Sequence, residues 1–143
     1  MITSIRHQLR SNAVALISLA VAIGSLSYNT WRNERTEHNR NVRTAAFEVL
    51  MRAGDLERVT YLAHYDHDRN GGNPRTGWTD VLAIRDLAAL IPGAVPGQAA
   101  ELLRVWGDNW EGLGRDDETA VNRIDDAIGR LREASLTTLR SLR

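Results

Sequence analysis

From Ser11 to Trp31 the chain carries no charged residue, and Arg10 and Arg32 bound the run. These 21 residues at about 1.5 Å each make a helix of roughly 32 Å, against a hydrocarbon core of about 30 Å. The length fits one membrane crossing. Val14, Leu16, Ile17, Leu19, Val21, Ile23 and Leu26 together favour insertion by about 2 to 4 kcal/mol, opposed by Asn12, Ser18, Ser25, Ser27 and Asn29. Tyr28 and Trp31 fall at the C-terminal end, where amphipathic rings settle at headgroup level. The pattern predicts a basic tail over 1–10 and a transmembrane helix over 11–31.

Three other readings of the run fit less well. A cleaved signal peptide matches Arg6 and Arg10 ahead of an apolar stretch, but its small-residue site Ala20-Val21-Ala22 comes too early, since apolar residues continue through Leu26. A core helix would show a polar face, and little of one exists between Ala13 and Leu26. An interfacial helix needs a strongly charged face, which is missing. Orientation is pulled both ways. Arg32, Arg35, Arg40 and Arg43 outnumber Arg6 and Arg10, favouring a cytoplasmic C-terminal part, whereas a short tail with two arginines resists translocation.

Residues 32–41 are polar on every side, as in a solvated helical stalk. Periodicity begins at Val42. Val42, Ala45, Ala46, Val49, Leu50, Ala53, Leu56, Val59, Thr60 and Ala63 recur at spacings of three and four, with Phe47 and Met51 widening the stripe. Asp66 to Gly77 reads as a loop, after which Thr76 caps a second helix running to Leu90 or Ile91. That helix is apolar on most sides through Trp78, Val81, Leu82, Ile84, Leu87, Ala88 and Leu90, and is the expected most-buried element. Pro92 to Gly97 is a rigid turn. A third helix carries Ala99, Leu102, Leu103, Trp106, Trp110 and Leu113 on one face and stops at Gly112 and Gly114. Asp116 or Asp117 caps the last, whose stripe is Val121, Ile124, Ile128 and Leu131, continuing through Leu136, Leu139 and Leu142, with Asp126 and Arg130 spaced to pair. No strand-like alternation occurs. The expected fold is all-α: the transmembrane helix continues through the stalk into an antiparallel four-helix bundle over 42–143.

Charge balances at 18 basic and 18 acidic residues, so no net field favours nucleic acid. Every basic residue is arginine, which leaves no lysine for a Schiff base or a phosphate loop, and with no cysteine there are no disulfides or thiolate sites.

His64, Asp66, His67 and Asp68 are the metal candidates. On a helix His64, His67 and Asp68 share a face, and imidazole with carboxylate suits zinc or another transition ion. A solvated helix end carries the same residues. Asp66 to Gly71 opens like a calcium loop, but Pro74 and Gly77 stand where later ligands are required. Asn73, Arg75 and Trp78 are the candidate partner-binding residues, within a run of turn formers that a buried tryptophan also needs. Small residues at Ala20 and Gly24, and at Ala15, Ser18, Ala22 and Ser25, could seat a second span. No nucleophile elbow, phosphate loop, dinucleotide fingerprint or His-Glu-x-x-His pair is present, so no enzyme, cofactor or catalytic residue is expected.

Leu26-Ser27-Tyr28-Asn29-Thr30-Trp31-Arg32-Asn33-Glu34, Asn39 to Arg43, Phe47-Glu48 and Gly72 to Trp78 resemble a group of short single-span bacterial membrane proteins. The resemblance covers most of residues 11–92. It implies an inner-membrane location with an α-helical soluble part, and brings no activity and no functional residue. Two functions follow as expectations: an anchored module that binds a protein partner or itself, and a sensory domain that takes an ion or small ligand near His64 to Trp78.

Overall fold

The computed structural model describes residues 12–68 and 70–142; Ser11, the basic tail with Arg6 and Arg10, Arg69 and Arg143 lie outside the described residues. Four α-helices follow in order: α1 (Ala13–His64), α2 (Pro74–Ala88), α3 (Val95–Asn109) and α4 (Glu118–Ser141). A 3-10 helix over Trp110–Arg115 precedes α4. No strand occurs among the described residues, and the chain is all-α. It divides into two compact units, one ending at His38 and one beginning at Asn39, within the polar stretch 32–41.

In the first unit, α1 has an 18-residue window of mean hydropathy 1.5, long and apolar enough to cross a membrane, and none of it is buried against protein. Tyr28 and Trp31 lie 6.2 Å apart between ring centroids, and the Arg35 guanidinium sits 5.5 Å from the Trp31 ring as a cation–π pair. Thr30 donates its hydroxyl to the Leu26 carbonyl at 3.0 Å, so that side chain brings no unsatisfied donor into the helix.

In the second unit α1 buries one face: Val42, Ala45, Ala46, Val49, Ala53, Leu56, Val59, Thr60 and Ala63. Phe47 and Met51 do not widen it. They are 55% and 65% exposed, on the far side of the helix from that stripe, because the neighbouring helices close over the alanines and reach no further round.

The second helix begins earlier than the turn formers suggested. Asn73, not Thr76, is its cap: the Asn73 side-chain oxygen accepts from the Arg75 N–H at 3.1 Å. Pro74 then occupies a first-turn position that lacks an intrahelical hydrogen bond anyway. Nor is α2 buried on most sides. Gly77, Val81, Ile84 and Ala88 face the core, while Leu82 and Leu90 are exposed. In α3, Ala99, Leu102 and Trp106 are buried as expected, joined by Val95 and Val105. The helix stops at Asn109, and the 3-10 turn places Leu113 in the core. Asp117 caps α4 by accepting from the Ala120 N–H at 3.1 Å, while Asp116 takes a left-handed φ of 58°. Val121, Ile124, Ile128 and Leu131 are buried, with Leu139 and Leu142 half-buried and Leu136 exposed.

Cross-helix contacts fix the directions. Arg43 donates to the Leu142 carbonyl at 3.4 Å, Arg132 pairs with Glu57 at 3.3 Å, and His67 lies 3.6 Å from Asp116, so contacts descend α4 as they ascend α1. Arg52 to Asp80 and the approach of Gly72 to Ala63 make α1 and α2 antiparallel in the same way. One core joins all four helices, with Trp106, Leu56, Ile84, Leu102, Leu113, Ile124 and Leu131 fully buried.

Gly77 is packed so closely that a Cβ there would meet Cζ2 and Cη2 of the Trp106 indole. Gly77→Ala is expected to destabilise the protein by roughly 1–3 kcal/mol as overpacking. Trp106→Phe removes those two atoms, so the double variant should recover part of the Gly77→Ala loss in a thermal melt. Additive losses would show that the two residues do not press on each other.

Candidate functional site

The loop end of the second unit holds most of the candidate residues. The helical face expected for His64, His67 and Asp68 does not form, because α1 ends at His64 and His67 adopts a left-handed φ of 49°. His64 is buried, its ring edge-on to Tyr65 at 4.7 Å, and its Nδ1 has no hydrogen-bond partner. Asp66, His67 and Asp68 are exposed. Asp68 serves the turn: its Oδ1 accepts from the Asn70 N–H at 2.9 Å, and its own N–H donates to the Leu62 carbonyl at 3.0 Å. Among the described residues no group of three or more His, Asp or Glu side chains is close enough to hold a metal ion.

Asn73, Arg75 and Trp78 are also separated by role. Asn73 is committed to capping α2, and Trp78 is half-buried, edge-on to Trp110 at 6.4 Å between centroids. Arg75 is exposed. The tryptophan that the turn accommodates is Trp106, reached through Gly77. Beside these residues lies a cavity of about 490 Å³ lined by Ala63, His67, Asp68, Gly72, Pro74 and Gly114. Asn73 lines it too, so its side-chain polarity comes from one imidazole, one carboxylate and one amide, with Ala63 and Pro74 as its apolar side chains.

Two electrostatic features have no obvious sequence signal. Arg52 bridges Glu48 at 3.1 Å and Asp80 at 3.3 Å, joining α1 to α2. Burial holds the Asp80 carboxyl above the usual carboxylate range, outweighing the Arg52 hydrogen bond, and Asp55 adds to the rise. Arg52 is raised in turn, first by its bond to Asp80 and then by Glu48. On α4, the Asp125 carboxyl is raised by partial desolvation, although its outer edge is in water, and by the Glu57 and Asp126 carboxylates; His64 acts against the rise. Nothing bound is needed to account for either feature.

Arg104 pairs with Glu101 at 2.7 Å and Asp108 at 2.8 Å along α3, on an exposed and solvent-screened surface. Asp126 and Arg130, spaced to pair, make no ion pair with each other. A groove of about 620 Å³ runs beside the turn at Pro92 and Gly93, lined on α4 by Arg130, Glu133, Thr137 and Thr138. No protein-family profile, curated protein or solved structure matches the chain.

A raised folded-state pKa means that, as pH rises, the unfolded chain releases its Asp80 proton first. Asp80 therefore subtracts stability above the usual carboxylate range and ceases to do so below it. Arg52→Met removes the group that restrains this rise, and is expected to lower the melting temperature at pH 7 and to do so clearly less at pH 4. Melts of variant and parent at both pH values test it; equal losses would show that Asp80 is not the group responsible.

Proposed function

We propose that the protein is a non-enzymatic, membrane-anchored helical interaction module of a bacterial inner membrane, acting through a protein partner or a second copy of itself. The observation that carries this reading is the apolar window of α1, which has a mean hydropathy of 1.5 and no burial against protein. A helix of that composition left in water would expose Leu16, Leu19, Ile23 and Leu26 on one face and Val14, Ile17 and Val21 on the other, whereas lipid satisfies them all. Tyr28 and Trp31 at its C-terminal end support a headgroup boundary there. The likeness to short single-span bacterial proteins supports the same location.

A sensory domain is the second reading. It draws on the cavity lined by His67, Asp68 and Asn73, which offers an imidazole, a carboxylate and an amide to an ion or a small polar ligand, and on the unpartnered Nδ1 of His64, which lies outside that lining.

Full-length protein is expected to stay with the membrane pellet after alkaline carbonate washing. Release into the supernatant, or a mature chain beginning near residue 25, would refute the anchor. Metal analysis of the detergent-purified protein separates the two readings: stoichiometric metal that disappears in His64→Ala and His67→Ala would establish the sensory one.

A further inference from the structure

A helix that buries one face should be polar on the opposite one. On α1 the opposite face instead presents Phe47, Met51, Tyr61 and Tyr65, exposed to 55, 65, 54 and 58%. With Gly54 and Arg58 between them, these positions are separated by four, three, four, three and four residues, the a/d alternation of a coiled-coil seam. The Tyr61 and Tyr65 rings lie 5.1 Å apart between centroids, so they offer one joint apolar surface. We propose that this face is a self-association surface on which two copies of the chain pack in parallel.

Area and charge point to a second copy. Four large side chains of about 200 Å² each, a little over half exposed, offer roughly 450 Å² per copy and about 900 Å² per pair, close to the ~1,000 Å² of a specific interface. Placing Phe47, Gly54 and Tyr61 at d and Met51, Arg58 and Tyr65 at a puts Arg43 at g and Glu48 at the following e, the charge pair that bridges parallel helices when these exposed side chains exchange the Leu142 carbonyl and Arg52 for each other. Arg58 then faces Glu57 of the second copy across the seam. Gly54 leaves room at this level of the seam, where the nearest group to an added Cβ is the same chain's Arg132 guanidinium at 3.9 Å. A single polar a position of this kind sets register at some cost in stability. Copies anchored in one bilayer by the same segment also share a topology, which requires the parallel sense; this last point rests on the anchored reading.

The chain has no cysteine, so single replacements report without background. In membranes containing the full-length protein, Met51→Cys and Arg58→Cys are expected to give, on mild oxidation, a band of twice the chain mass. Exposed controls on other helices, Arg85→Cys and Glu133→Cys, should not. Adding Phe47→Glu to Met51→Cys should reduce the band roughly tenfold, the loss expected for an anchoring aromatic, with the helical circular dichroism unchanged. Equal cross-linking of the controls, a band untouched by Phe47→Glu, or a band of heteromeric mass would overturn the proposal. Carbonate washing of the same membranes separates the two claims. A chain released yet still cross-linked supports the face and refutes the anchor; a chain retained without cross-links refutes the face alone.

Discussion

The packing of residues 39–142 depends on how closely other helices can approach α1. Ala45, Ala46, Ala53 and Ala63 lie on its buried face, and Gly72 and Gly77 are the residues that come up against that half of the helix and its surroundings. Alanine contributes little area, so the larger side chains of the core, Leu56, Ile84, Trp106 and Leu131, fill the space that the small stripe leaves between helices. Close approach also brings the flanks into ion-pair range, which is how Arg52 reaches Asp80 and Glu57 reaches Arg132. The electrostatics of this unit follow from its sterics.

In the first unit α1 obeys another rule. From Val14 to Leu26 its apolar residues are exposed all round, so their solvent, not a packed neighbour, has to satisfy them. Charge-free composition and hydropathy were readable in the sequence, because whether a segment is long and apolar enough to cross a membrane is a matter of composition and length alone.

Much of the second unit was equally readable. The stripes Val42 to Ala63, Ala99 to Trp106 and Val121 to Leu131 sit where a 3.6-residue period puts them, and Asp117 caps α4 at the expected place. What misled was chemistry that serves two uses. Phe47 and Met51 are apolar at helical spacing, yet a one-dimensional pattern cannot say that packing ends before it reaches them. Asn73 and Thr76 are both good caps; Pro74 decides for Asn73 because its ring suits the first turn. Around the loop, His64, His67 and Asp68 share a helical face only if the helix continues, and it stops at His64. The Arg52–Asp80 bridge joins residues 28 apart in sequence, a separation at which no local rule pairs side chains.

Gly72 links the end of α1 to the start of α2 more tightly than its place in a loop suggests. A Cβ at this position would fall on the backbone of Leu62 and Ala63, so the returning chain lies directly against the last turn of the helix, main chain on main chain. The Asp68 N–H bonded to the Leu62 carbonyl closes the same knot. Amide protons of that turn and of the loop should accordingly exchange with solvent as one cooperative block, since neither can open while the other stays docked.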